Sequence, residues 1–226
     1  MTSSKQETCP KLILGTANYG NKKYGLNKIK ISSIEATKLI NFSIKNKIIF
    51  FDTAHSYNSE KKLKKKNVKI FTKLVPINEN LFIKNKKNIK NLVLSSINTS
   101  MKDLGTKKIF CVMLHRVEDI NILDGYIIKI LKQLKKKKLI NHIGISIDKF
   151  KNIKKIASNK DIKYIQVPIN IYDHRWKILL KKEHARSMRN KKIIARSIYL
   201  QGLFAKKKWP KKIQILLGLI YFGQFL

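Results

Sequence analysis

Four side chains in this sequence have the types and spacing for acid–base chemistry on a carbonyl group. Asp52 and Tyr57 lie five residues apart in the stretch I-I-F-F-D-T-A-H-S-Y (48–57). Lys73 closes the run N-V-K-I-F-T-K (67–73), and His115 follows I-F-C-V-M-L (109–114). A free phenol has a pKa of about 10 and gives up its proton reluctantly at pH 7. A neighbouring ammonium favours the phenolate and brings such a donor toward working pH. A carboxylate beside the ammonium keeps it charged and oriented, and an imidazole can hydrogen-bond a carbonyl oxygen and hold it for attack. Tyr57, Lys73, Asp52 and His115 are the candidates for these four roles. The set lacks a hydride source, which has to come from a cofactor.

Taken singly, each residue has a plainer reading. A turn aspartate capping the next helix accounts for Asp52 as well as catalysis does. Only 5 of the 50 basic residues are arginine, so roughly one residue in five is lysine and a lysine at a strand end says little. Asp52 says more, because the chain has only 13 acidic residues. His115 is one of five histidines, and a lone histidine is more often structural than catalytic. His55, His142, His174 and His184 read as structural or surface residues, as do Arg116 and Tyr19.

The pattern around these residues carries more weight. Short apolar runs at 11–16, 48–52, 67–73, 109–114, 142–146, 164–170 and 193–197 read as seven strands. A parallel strand covered by helices on both faces should be apolar throughout. Between the runs lie stripes at helical spacing. Ala36, Leu39, Ile40 and Ile44 form one, with Ser32, Ser33 and Glu35 as start signals. Ile89 to Leu104 forms a longer one, closed by Gly105. Leu123 to Leu134 forms a third, running into an exposed lysine end, and Phe150 to Ala157 a fourth. The stretch Trp176 to Met188 reads as a basic helix or loop. Strands alternating with helices mean βαβ units and a parallel sheet. The irregular repeat length argues against a solenoid, and no Pro/Gly/Ser-rich linker divides residues 1–226, so one domain is expected. The runs end on Asp52, Lys73, His115, Ser146, Asn170 and Ser197, which a closed barrel would gather at one mouth.

Composition narrows the function classes. The formal net charge is +37, with lysine runs at 61–66, 84–90, 135–138 and 206–212. Charge alone suggests nucleic acid or an anionic membrane surface. However, lysine, isoleucine and asparagine are abundant along the whole chain, the runs are not interleaved with aromatics, and arginine is scarce. No specific nucleic-acid partner is therefore expected, beyond salt-sensitive attraction. A hydrophobic content of 43% excludes a disordered chain. Cys9 and Cys111 have neither metal-ligand nor redox spacing, so no metal is expected, Cys111 reads as a core residue, and a reducing cytoplasm is the default. The N-terminus lacks the apolar core of a signal peptide. The apolar tail at 213–226 is 14 residues long. A membrane span takes roughly 20, so the tail reads as a core helix.

The motifs together resemble the aldo/keto reductase family. The matching pieces are L-G-T-A-N-Y-G (14–20), Y-G-L-N (24–27), D-T-A-H-S-Y-N-S-E (52–60), I-F-T-K (70–73), V-M-L-H-R (112–116), L-I-N-H-I-G-I-S (139–146), I-Q-V-P-I-N (165–170) and A-R-S-I-Y-L-Q-G-L (195–203). They stand in the family's order and cover nearly the whole chain. The resemblance implies a (β/α)8 TIM barrel and reduction of a small aldehyde or ketone by NADPH or NADH. It supports Tyr57 as the acid, Lys73 and Asp52 as its tuners and His115 as the carbonyl binder. It further implies that Ser146 and Gln166 hold the nicotinamide carboxamide. Ser197, Gln201, Gly202 and Leu203 resemble the loop over the cofactor pyrophosphate, whereas Asn170 supports a strand end.

Three departures qualify the resemblance. Tyr57-Asn58-Ser59-Glu60 stands where the family usually has the longer Tyr-Gly-x-Ser-Glu. Ile147 replaces an asparagine common after the serine. The sequence also stops at Leu226, where the family's eighth strand and last helices follow, and a full barrel takes about 250 residues. The expectation is an incomplete barrel of about seven parallel strands. Its first and last strands would be exposed edges that invite pairing with another chain, unless the apolar tail covers the gap. The sequence thus supports two main readings, a cytoplasmic NAD(P)H-dependent reductase and a truncated, catalytically weak or inactive relative. A basic nucleic-acid-associated protein is a third, favoured by charge alone.

Overall fold

The computed structural model of the chain describes residues 10–20, 31–77, 85–149, 153–170, 173, 175–176 and 188–200. Within them lie β1 (Leu14–Gly15), β2 (Phe50–Asp52), β3 (Lys69–Lys73), β4 (Ile109–Leu114), β5 (Ile140–Ser146), β6 (Ile162–Pro168) and β7 (Lys192–Arg196). The seven strands pair in sequence order, and every pairing is parallel. Among the described residues this is a curled, seven-stranded sheet of TIM-barrel type: the alternating pattern predicted its parallel strands, and the family resemblance its barrel form. Among the described residues β1 has only β2 beside it, and β7 only β6. Two strand ends fall earlier than the sequence suggested. Asn170 leaves β6 to bridge Asp173, and Ser197 turns the chain off β7 with a left-handed φ of 59°.

Among the described residues, four helices pack outside the sheet. α1 (Ser33–Lys45) starts at a reciprocal cap: the Ser32 hydroxyl accepts from the Glu35 N–H at 3.1 Å, and the Glu35 carboxylate accepts from the Ser32 N–H at 2.9 Å. Such a box satisfies two N–H groups that the first turn leaves without partners. α2 (Lys86–Leu104) starts at Asn85 and ends at Gly105, whose φ of 63° is cheap only without a Cβ. α3 (Tyr126–Lys136) turns Ile127, Ile130, Leu131 and Leu134 to the core and leaves Lys135 to Lys138 exposed. α4 (Ile153–Ser158) contributes Ile156 and Ala157. The third apolar stripe begins at Leu123, but its helix begins only at Tyr126. Leu123, Asp124 and Gly125 all have positive φ, which a right-handed helix cannot include.

Between β2 and β3 the chain makes two 3-10 turns, His55–Tyr57 and Glu60–Leu63, instead of a longer helix. The core has an outer layer between strands and helices and an inner layer enclosed by the strands. Phe71, Phe110, Cys111, Met113 and Tyr164 fill the inner layer, with Ile13, Phe50 and Ile194 packed against it. Phe71 meets Phe110 and Tyr164 edge-on at 5.1 and 5.0 Å between ring centroids. Cys111 is a free, fully buried thiol whose pKa burial pushes well up, so it is inert packing. No helix among the described residues is long and apolar enough to cross a membrane. The tail at 213–226, most of the stretch from Trp176 to Met188, Gln201, Gly202, Leu203, His174 and His184 lie outside the described residues.

Candidate active site

The inner layer fixes where the polar strand ends point. Side chains alternate across a strand, so residues two apart share a face. Asp52 stands two beyond Phe50, Lys73 two beyond Phe71, His115 two beyond Met113 and Gln166 two beyond Tyr164, all inner-layer residues. Ser146 stands two beyond Gly144, where an added Cβ would lie 2.9 Å from Met113 Cγ and 3.2 Å from Cys111 Sγ. The same alternation puts Arg196 two beyond Ile194. The carboxyl ends of β2 to β7 thus carry a ring of polar groups above a plug of aromatic and sulfur-containing side chains.

Lys73 is buried to 2% exposure, and its Nζ donates to Asp52 Oδ1 at 2.6 Å and to the Thr53 carbonyl at 3.1 Å. A buried ammonium needs this pairing. The same Nζ sits 5.0 Å from the centroid of the Tyr57 ring. The Tyr57 and His115 rings meet nearly at right angles, 82°, with centroids 6.4 Å apart. The four residues singled out from the sequence therefore form one cluster.

Tyr57 is held by the turn that carries it. Its N–H donates to the Ala54 carbonyl at 2.9 Å, and the Asn58 N–H to the His55 carbonyl at 3.1 Å. Asn58 takes the left-handed conformation, φ 55°, which asparagine tolerates better than most residues with a Cβ. After it, the Ser59 hydroxyl bonds Thr16 Oγ1 at 2.8 Å and Thr53 Oγ1 at 3.0 Å. The buried Glu60 accepts from Thr72 Oγ1 at 2.6 Å, and burial raises its pKa. The shortened motif thus keeps its serine and glutamate anchored to β1, β2 and β3.

His115 has its pKa lowered from 6.5 to about 4, first by burial and then by the charge of Lys73; Asp52 opposes this, while Arg196 and Arg116 add to it. The imidazole is neutral at pH 7, with one N–H donor and one acceptor nitrogen. Its Nδ1 is buried without a hydrogen-bond partner among the described residues. Arg116 is structural, as expected: its Nη2 donates to Asp119 Oδ1 at 3.0 Å and to the Ile77 carbonyl. Tyr19 is also buried, in the core beside α1.

Ser146 and Gln166 are register partners on β5 and β6, both buried. Gln166 Oε1 has no hydrogen-bond partner among the described residues. A buried amide oxygen without a donor is costly, and a carboxamide N–H supplies one, so these two residues fit a nicotinamide. Ile147 packs into the outer core and takes no part. Ser197 is half-buried just past β7. The sequence reading passed over Arg196 and Gly20. Arg196 was legible from the alternation that Ile194 sets, whereas the tight packing of Gly20 on Tyr57 is purely tertiary.

A comparison with curated proteins finds no match. Among solved structures, aldo-keto reductase AKR11C1 from Bacillus halodurans, in its holo form, is similar with a TM-score of 0.68 and 21% identity, over 88% of this chain and 66% of that one. Glycerol dehydrogenase AKR11B4 from Gluconobacter oxydans gives 0.65 and 19%, over 88% and 64%. The chain thus spans just under two thirds of the length of these proteins, and at this identity the likeness speaks for the fold. The sequence model of the aldo/keto reductase family matches residues 11–214, and the chain belongs to that family.

Proposed function

We propose that the protein is an oxidoreductase that reduces a small aldehyde or ketone to the alcohol with a nicotinamide cofactor, NADPH or NADH. In the balanced reaction, carbonyl, NAD(P)H and one proton give alcohol and NAD(P)+. The observation that carries this reading is the buried Lys73–Asp52 pair with its ammonium 5.0 Å from the Tyr57 ring and His115 edge-on to that ring.

The bound cofactor supplies a hydride to the carbonyl carbon. The Tyr57 hydroxyl donates the proton to the carbonyl oxygen. The Lys73 ammonium stabilises the negative charge this leaves on the phenol oxygen, and Asp52 with the Thr53 carbonyl holds the ammonium in place. His115, neutral at pH 7, donates a hydrogen bond that orients the carbonyl oxygen. Ser146 and Gln166 would hold the carboxamide, and Ser197 would lie beside the pyrophosphate.

The test is a titration of NADPH into the purified protein, followed by cofactor fluorescence and by aldehyde-dependent oxidation. Saturable binding and turnover are expected. An absence of saturable binding of either NADPH or NADH would overturn the reading.

A further inference from the structure

Three side chains of metal-ligand type meet on the helix side of β3. Lys73 points to the mouth, so Thr72 points to the helices, and its hydroxyl donates to Glu60 Oε1 at 2.6 Å. The other oxygen of that carboxylate, Oε2, is buried without a hydrogen-bond partner among the described residues, in a side chain only 2% exposed. His55 Nδ1 lies 3.9 Å from it. Asp103, half-buried in the last turn of α2, completes the group: one ligand atom from each of His55, Glu60 and Asp103 lies within 4.8 Å of the other two. The Ser100 hydroxyl, one turn earlier on α2, eases ionisation of Glu60 but makes no hydrogen bond to Oε2.

A bare carboxylate oxygen out of water is costly, and a second carboxylate nearby raises the cost. The chain has 50 basic residues to set against 13 acidic ones, yet no lysine or arginine among the described residues comes within ion-pair distance of Glu60 or Asp103. An imidazole nitrogen together with carboxylate oxygens suits zinc, whereas magnesium and calcium favour oxygen alone. Ligands about 2.0–2.2 Å from one zinc ion stand about 3.3–3.5 Å apart, so the three groups have to close by roughly 1 Å. The partly exposed His55 ring is free to turn inward. We propose that His55, Glu60 and Asp103 bind one Zn²⁺ ion through Nδ1, Oε2 and a carboxylate oxygen, with water in the fourth position. The ion ties the turn that carries Tyr57 to the C-terminal end of α2 and compensates the buried carboxylate. The site faces the helices, so it stands independently of the reductase reading. Its ligands come from segments far apart in the chain, which is why cysteine spacing gave no sign of a metal.

The whole chain, purified without a histidine tag, is stripped with a chelator and dialysed. It is then titrated with ZnCl₂ by calorimetry at physiological ionic strength, and its Tm is followed. One Zn²⁺ binds per chain, and at a hundredfold excess over the dissociation constant Tm rises by about 5–10 °C. His55→Gln and Asp103→Asn each weaken binding about a hundredfold or more, since losing even an outer partner of a metal ligand costs about 10- to 100-fold. Glu60→Gln keeps an acceptor for Thr72 and abolishes binding. Asp124→Asn, an exposed acid before α3, keeps the wild-type affinity. Circular dichroism of the metal-free variants checks their folding; should Asp103→Asn fail to fold, His55→Gln at its exposed position decides. The absence of stoichiometric zinc binding in the wild type overturns the proposal. So does equal affinity in wild type and His55→Gln, which marks adventitious surface binding, and so does an equal rise in Tm with the same concentration of Mg²⁺.

Discussion

Gly20 lies so close to Tyr57 that a Cβ on the glycine would stand 1.5 Å from the tyrosine's carbonyl oxygen and 2.7 Å from its carbonyl carbon. The loop after β1 therefore packs tightly against the turn that carries Tyr57. Gly20→Ala has to push this turn aside. Misplacing a reacting group by about 1 Å can cost about a hundredfold in rate. A fall of that order in kcat, with the circular dichroism spectrum of the wild type, is the expected outcome. An unchanged kcat would show that the turn adjusts freely.

Asp52 compensates an ammonium that has almost no access to water. Removing one partner of a buried ion pair costs about 3–5 kcal/mol, because the other charge is left uncompensated. Asp52→Asn should therefore lower the urea midpoint markedly. Asp52→Asn combined with Lys73→Met removes the stranded charge and should recover much of the stability while staying inactive. A double variant no more stable than the single one would show that the pair does not set the cost.

Tyr57→Phe removes one oxygen and keeps the ring beside Lys73 and His115. General acid catalysis by a placed group is worth about 10²- to 10⁴-fold, so kcat should fall by that much. The NADPH dissociation constant and the unfolding midpoint should stay near wild type, since the half-buried ring still packs. Comparable loss of cofactor binding would mean that the hydroxyl does something other than donate a proton.

His115 ties stability to pH. Its folded pKa is about 4, whereas in the unfolded chain it lies near about 6.5. Above about 6.5 neither state binds the proton and the contribution is complete. As pH falls from there toward about 4, the unfolded state takes up a proton that the folded state refuses, and stability is lost. Unfolding free energies of wild type and His115→Gln, measured against pH, should therefore differ in slope within this window and run parallel below it. Parallel curves throughout would show that the imidazole is not shielded as described.

Much of this arrangement was legible in the residue pattern. Buried parallel strands are apolar throughout, so runs such as Ile109–Leu114 stand out, and the capped stripe after Ser32 announces its helix. The cluster of Asp52, Tyr57, Lys73 and His115 followed once the strands were taken as parallel, because their ends then share a mouth. Arg196 was missed for a specific reason. The polar group closing the run was taken to be Ser197, whereas Ile194 on the inner face makes Arg196 the inward residue. The 3-10 turns between β2 and β3 have no apolar periodicity to reveal them. The contact between Gly20 and Tyr57 joins loops 37 positions apart, and no local signal encodes it.

The strand alternation below the mouth has a consequence for how this gene tolerates change. Each polar group at a strand end keeps its station by even spacing from the plug beneath it, Phe71 to Lys73 or Tyr164 to Gln166. Inserting or deleting a single codon between the two would swing that group to the helix side. Insertions in the loops escape this parity, so length variation should gather in the connections and be purged from the strands.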